Sequence, residues 1–389
     1  MSIFDQQHER RQTNSVKWDS IASTYHKDNL LPLWVADMDF TAPSCVQEAL
    51  LDYVKQGIYG YTLFGDDLYE AIINWQKRRH HYDINKEEIL FSPGVVPSIA
   101  VSIEAFTKPG DSIMIHDPVY PPFAKMIEEN KRKLIRSPLK VINGHFEMDL
   151  NKMESKMMKE NVKLFILCNP HNPGGRVWTK SELKHLGDLC KKYNCLVVSD
   201  EIHQDLIFAP HQHETFHNVD ADFADFSIVL TAATKTFNLS GIKNSMIFVK
   251  NPQLKAAFAA IQEKSEQDTI NTFGLIGTKA AYNGAEAWLT ELLDYLQKNS
   301  AFTINFLQKN LPKVKVMRPE GTYLFWLDFS AYNLTESQLN KKMIEEAGVV
   351  LNGGYTFGPS GKQHMRLNIA CPKATLQQGL TQIAQAFKE

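Results

Sequence analysis

Between residues 88 and 250 the chain repeatedly breaks a short apolar run at a polar or turn residue. The runs are EEILFSPG, DSIMIHDP, VKLFILCNP, CLVVSDE, FSIVL and NSMIFVK, and they are rich in β-branched residues. Amphipathic helical stretches lie between several of them. In TKSELKHLGDLCKKYN, Thr179 and Glu182 have the spacing of a capping box, and Leu183, Leu186, Leu189 and Tyr193 line one face. Upstream, PSCVQEALLDYVKQG carries Val46, Ala49, Leu50, Tyr53 and Val54 at helical spacing, with Gly57 as the stop. Strands alternating with helices predict an α/β domain with a mostly parallel sheet between helices. In such a sheet, ligands bind beyond the carboxyl ends of the strands. The residue that ends each run is therefore the one to read.

From about residue 285 the pattern changes. AEAWLTELLDYLQKNSAFTINFLQKNLP predicts one long helix. VKVM, GTYLFWLDF, a helix over TESQLNKKMIEEAG, VVLN and HMRLNIA follow. Leu376, Leu380, Ile383 and Phe387 form the stripe of a final helix. The expected division is an N-terminal segment (1–45) packing with a smaller C-terminal α+β domain (286–389), and a large domain over 46–285.

The formal net charge of −2 leaves no electrostatic footprint for nucleic acid or an anionic membrane. The N-terminus, MSIFDQQHERRQTNSVKWDS, lacks the apolar core of a secretory signal, and no apolar run nears the roughly 18 residues that span a bilayer. The cytoplasm is the expected location. Cys45, Cys168, Cys190, Cys195 and Cys371 have no paired spacing and read as reduced, structural thiols. His211, His213 and His217 in HQHETFH lack metal-ligand spacing and read as a solvated loop, so no metal is expected. His80 and His81 read as a solvated helix end, and Met153, Met157 and Met158 as packing residues.

Three strand ends deliver three different groups to one edge: the amide of Asn172 in NPHNPGG, the carboxylate of Asp200 in DEIH and the amine of Lys235 in TAATKTFNLSG. Upstream, FSPGVVPSIA places Gly94 before a helix expected to start near Pro97, where backbone N–H groups can receive a phosphate. Amine, carboxylate, amide and phosphate cradle are what pyridoxal phosphate requires: a lysine for the aldehyde, a carboxylate to keep the pyridine nitrogen protonated, and a donor to the ring oxygen. Desolvation and nearby cations would lower the lysine pKa and leave more free amine.

NPHNPGG, SDEIH and TKTFNLSG resemble the motifs of fold type I pyridoxal-phosphate enzymes, the class I/II aminotransferase superfamily. The resemblance runs over essentially the whole chain, through WVADMDF (34–40), YGYTLFG (59–65), PVYPPF (118–123) and HMRLNIA. It implies Lys235 as the cofactor lysine and proton shuttle, Asp200 at the pyridine nitrogen, and Asn172 at the ring oxygen and near substrate. Tyr120 would stack on the ring and meet the substrate. Gly94, Val95 and Val96 would bind the phosphate through the backbone, with Lys243 facing it. Tyr61 would reach the phosphate of a second subunit, which implies a homodimer. Arg366 would hold the substrate α-carboxylate, a bidentate task suited to guanidinium. Many aminotransferases carry Ser three residues before the lysine; Ala232 stands there, and Thr234 rather than Thr231 is the expected hydroxyl donor.

Typical aminotransferases also carry Tyr three residues after the pyridine-binding Asp. Here that residue is His203, which joins the expected cofactor-binding set. With WVADMDF, YGYT and TKTFNLSG, it resembles the MalY/PatB-type cystathionine β-lyase (C–S lyase) branch. The implied reaction is β-elimination from L-cystathionine or a related cysteine S-conjugate to thiol, pyruvate and ammonia. Transamination is the rival, since the two reactions share their first steps. A cofactor-binding regulatory protein acting through a protein partner is the rival of another class; the intact set Lys235, Asp200, Asn172 and Arg366 weighs against it as the sole function. No second arginine clearly belongs in the pocket, Tyr355 and Phe357 in NGGYTFG are candidates to favour a bulky S-substituent, and Trp34 is a candidate pocket wall.

Overall fold

The computed structural model describes residues 2–388. Its centre is a seven-stranded sheet of β1 (Ile89–Ser92), β2 (Ser112–Asp117), β3 (Lys133–Pro138), β4 (Val162–Cys168), β5 (Leu196–Asp200), β6 (Ser227–Thr231) and β7 (Ser245–Phe248). The order across the sheet is β1-β7-β6-β5-β4-β2-β3. Only β7 runs against its neighbours, so the sheet is mostly parallel, as the alternating pattern predicts. β2 and β6 are buried along their full length, and β4 nearly so, because helices cover both faces; that is why these runs are continuously apolar.

The helix over Lys180–Lys192 begins at Thr179, whose hydroxyl caps Glu182 N–H while Glu182 reaches back, the reciprocal arrangement expected from the spacing. Ser44–Gln56 is helical and ends at Gly57, whose φ of 68° is the left-handed cap that glycine accepts without strain. The helix expected near Pro97 begins two residues earlier, at Val95, with Gly94 as its cap. Proline is tolerated there because first-turn N–H groups have no acceptor within the helix.

β3 has no counterpart among the expected strands. It is the sheet edge, and only Ile135 and Ser137 of KLIRSP are buried, so its apolar signal is weak. After the 25-residue helix Glu286–Asn310 comes a second sheet of β8 (Lys315–Met317), β9 (Leu324–Asp328), β10 (Asn352–Gly353) and β11 (His364–Asn368), in the order β8-β9-β11-β10. The final helix, Lys373–Ala386, buries Leu376, Leu380 and Ile383.

Several local readings change. His80 is buried and lies 2.8 Å from Asp205 Oδ1. His217 is buried with its Nδ1 2.7 Å from Tyr82 Oη, and His213 Nε2 lies 2.8 Å from Glu201 Oε2; of the five histidines expected to be solvated, His211 and His81 are exposed. These histidines pack under the loop after β5, where each ring finds a polar partner, and no metal-ligating cluster occurs among the described residues. Met153 and Met157 are core residues, whereas Met158 points outward. No helix is long and apolar enough to cross a membrane among the described residues.

Candidate active site

The parallel register places the expected groups side by side. Cys168, the last residue of β4, pairs with Asp200, the last residue of β5, and β6 continues through Ala232 into the short helix Ala233–Thr236 that carries Lys235. Together they floor a cavity of about 200 Å³. Gly94, Val95, Val96, Tyr120, Asn172, Asp200, His203, Thr234, Lys235 and Lys243 all line it.

Lys235 Nζ donates to the carbonyl of Ala36 at 2.6 Å. Burial lowers its pKa to about 8, with Arg366 adding to the effect and Asp37 and Asp200 opposing it. Burial likewise raises Asp200 to about 7; the Ile202 N–H, 3.1 Å from its Oδ1, and Lys235 pull the other way, while Glu201 adds to the rise. Burial, Lys235 and Arg366 push His203 down to about 3, so its imidazole is neutral. His203 Nδ1 is buried and without a partner among the described residues.

Arg366 projects from β11. Its Nη1 donates to Asn172 Oδ1 at 3.0 Å, and its Nη2 to Asn352 Oδ1 at 2.7 Å and to the Trp34 carbonyl at 3.1 Å. The guanidinium lies over the Phe357 ring, 4.9 Å from its centroid, and burial lowers its pKa to about 10. With Asn172 Oδ1 committed to Arg366, the amide nitrogen is the donor left for the cavity. The first turn of helix Val95–Phe106 lines the same cavity as Thr234 and Lys243. Thr231 is turned away, its hydroxyl donating to the Glu201 carbonyl.

These residues fit pyridoxal phosphate. A buried carboxylate with one backbone donor and a strongly raised pKa calls for a cationic partner, which a protonated pyridine nitrogen is. The buried amine of depressed pKa suits the aldehyde, and helix N–H groups with a lysine and a hydroxyl suit a phosphate.

Two expected residues lie outside the cavity lining. Arg366 adjoins it through Asn172, and Tyr61 projects fully into solvent. Trp34 contributes its carbonyl to Arg366 while its indole donates to Lys17 O. Phe357 is buried beneath the guanidinium and Tyr355 is exposed, so neither lines the cavity. The cavity also contains Ala36, Cys168, Ser240 and Asn244, which the strand-end argument does not reach. Of these, Ala36 carried a sequence signal through its place in WVADMDF, Ser240 through TKTFNLSG and Cys168 as the end of VKLFILC, whereas Asn244 carried none.

The sequence profile of the aminotransferase class I and II family matches residues 29–383. Cystathionine β-lyase PatB of Bacillus subtilis (strain 168) is 42% identical over 384 residues, covering 99% of each chain. Among solved structures, a pyridoxal-phosphate-bound protein from Clostridium difficile 630, provisionally called an aminotransferase, superposes with a TM-score of 0.96 at 42% identity, covering 98% of this chain and 99% of that one. The pyridoxal-phosphate-bound C–S lyase of Staphylococcus hominis superposes with a TM-score of 0.93 at 33% identity, covering 99% and 98%.

Proposed function

The chain belongs to the class I and II aminotransferase family, and we propose that it is a pyridoxal-phosphate-dependent C–S β-lyase. It converts L-cystathionine or a related cysteine S-conjugate, with water, to a thiol, pyruvate and ammonia. The observation that carries this reading is the cavity in which Lys235, Asp200 and His203 meet beside Arg366, in a chain 42% identical to a cystathionine β-lyase across its length.

When bound, the cofactor supplies an electron sink next to the substrate Cα. The chain's own groups do the rest. Arg366 receives the substrate carboxylate, with Asn172 and Asn352 fixing the guanidinium plane. The freed Lys235 amine would take the Cα proton, its lowered pKa leaving more of it as free base, and the Cβ–S bond would then break with its electron pair leaving on sulfur. Asp200 would hold the ring nitrogen protonated, Asn172 would donate to the ring oxygen, Tyr120 would stack on the ring, and His203 would line the same cavity. The Val95 and Val96 amides with Gly94, Thr234 and Lys243 would hold the phosphate.

A homodimer belongs to the same reading. Leu51, Val54, Ile58, Tyr59, Tyr61 and Leu63 are exposed within one short stretch, an apolar surface suited to a second copy, and Tyr61 is free to enter that copy's phosphate site. So do a division at 45/46 and 285/286, with the long helix carrying the smaller unit, and a cytoplasmic setting in which the five unpaired cysteines stay reduced.

The test incubates purified protein with L-cystathionine and measures pyruvate and free thiol, with the visible absorbance of the lysine-linked cofactor followed in wild type and Lys235→Ala. Equal pyruvate and thiol, lost in the variant, is the expected result. Cofactor absorbance with brisk amino transfer to a 2-oxo acid and negligible pyruvate would move the assignment to a transaminase.

A further inference from the structure

The carbonyl that receives Lys235 is itself held in place. Ala36 O accepts from Lys235 Nζ at 2.6 Å and from Tyr323 Oη at 3.1 Å. Its neighbours are fixed by the same small sheet: Asn368 Nδ2 donates to both Val35 O and Asp37 O at 2.7 Å, and Arg366 Nη2 to Trp34 O. Tyr323 is fully buried, directly precedes β9, and meets the His203 ring edge to face at 5.9 Å.

We propose that Tyr323 is a positioning residue for the proton transfer: its hydroxyl fixes the Ala36 carbonyl as the acceptor of the Lys235 amine whenever that amine is free of the cofactor. A neutral amine has two N–H bonds and one lone pair. With one N–H committed to Ala36 O on the wall formed by residues 34–37, the lone pair is directed away from that wall, toward the cavity where the substrate Cα–H must lie. A carbonyl that also accepts from Tyr323 is a weaker acceptor and favours the ammonium form less. The hydroxyl therefore sets both where the amine rests and how readily it stays deprotonated. Burial raises the Tyr323 pKa, so it acts as a neutral donor throughout the working pH range. The charged or titratable groups that face Lys235 and Tyr323 are Asp37, Tyr120, Asp200, His203 and Arg366, and of these Arg366 interacts directly with the Tyr323 hydroxyl.

The inference rests on the proposed lyase reading for its consequence in catalysis but not for its central contact, and the experiment separates the two. In Tyr323→Phe the ring packing is kept and one donor is lost. The Lys235 pKa, read in the cofactor-free full chain from the pH dependence of its acetylation by peptide mass spectrometry, rises by about half a pH unit or more, the scale of one hydrogen bond. In the holoenzyme the acid limb of kcat moves up in step, kcat falls by about ten-fold, and KM is unchanged. Replacing Tyr323 by 3-fluorotyrosine, a stronger donor of the same shape, moves both profiles to lower pH. Unchanged Lys235 labelling and kcat profiles in both variants would overturn the proposal. A shifted labelling profile in a protein that yields no pyruvate would leave Tyr323 in its role and remove only the lyase assignment.

Discussion

Arg366 Nη1 lies 3.0 Å from Asn172 Oδ1, a buried contact that joins the middle of β11 to the turn after β4. Through it the group proposed to bind the substrate carboxylate and the group proposed to donate to the cofactor ring share one hydrogen bond. Arg366 also rests on Phe357, so only a planar cation fills the place. Arg366→Lys keeps the charge but loses the fork and the stacking. The expected cost is about 2 kcal/mol in kcat/KM, roughly 30-fold and mainly in KM. Steady-state kinetics on L-cystathionine checks this, with the cofactor absorbance unchanged. A loss confined to kcat would place the carboxylate elsewhere.

Asp200 carries the second prediction. Its folded pKa of about 7 lies above the ordinary carboxylate value near 4. Between those values the folded protein binds the proton more tightly than the unfolded chain. This contribution to stability is complete below the ordinary value and is lost as pH rises through about 7. Asp200→Asn removes the buried charge. The cofactor-free variant should melt above cofactor-free wild type at pH 8 and level with it at pH 4, by calorimetry. Once loaded, the same variant should lose about a hundred-fold in kcat, because nothing then holds the ring nitrogen protonated.

The contrast between these groups and their surroundings shows what a sequence exposes. Asn172, Asp200 and Lys235 were legible because parallel strands end at one edge, so a polar residue closing an apolar run has one destination. Gly94 was legible as a glycine turn that opens a helix, although Pro97 drew the expected helix start two residues late. Ala36 acts through its carbonyl, which no side chain reports, and Tyr323 reads as one more aromatic in a strand. His80, His213 and His217 look like polar loop and helix-end residues until tertiary packing gives each ring a buried partner. Arg366 came from a motif in the resemblance, since β11 belongs to a different sheet from the strand ends it serves.

The WVADMDF segment makes a third prediction. Lys17 is fully buried with its Nζ 2.8 Å from Asp39 Oδ2, and Asp39 Oδ1 also accepts from Arg10 Nη1 at 2.7 Å and Trp18 Nε1 at 2.9 Å. Burial pushes the Asp39 pKa up, but Lys17, Trp18 and Arg10 together hold it below the ordinary carboxylate range. Lys17→Met removes one partner and leaves a buried carboxylate under-compensated, for about 3 kcal/mol of lost stability. Urea unfolding at constant m-value measures it. Because this ion pair anchors the loop that presents Ala36 to Lys235, the surviving folded enzyme should also show reduced kcat.

The exposed apolar stretch around Tyr61 makes the last. Ile58 and Leu63 expose most of their surface, which is unfavourable for a lone copy and is relieved when a second copy covers it. Light scattering of the wild type should give twice the chain mass of 44.3 kDa. Leu63→Asp would bury an unpaired charge in that contact, so the variant should run as a monomer and bind the cofactor weakly. Tyr61→Phe leaves the apolar ring in place and removes only a hydroxyl. It should therefore stay dimeric while its cofactor affinity falls by about ten-fold, the scale of one hydrogen bond to a charged phosphate. A dimeric Tyr61→Phe with unaltered affinity would keep the interface and take Tyr61 out of the phosphate site. A monomeric wild type with full activity would remove both.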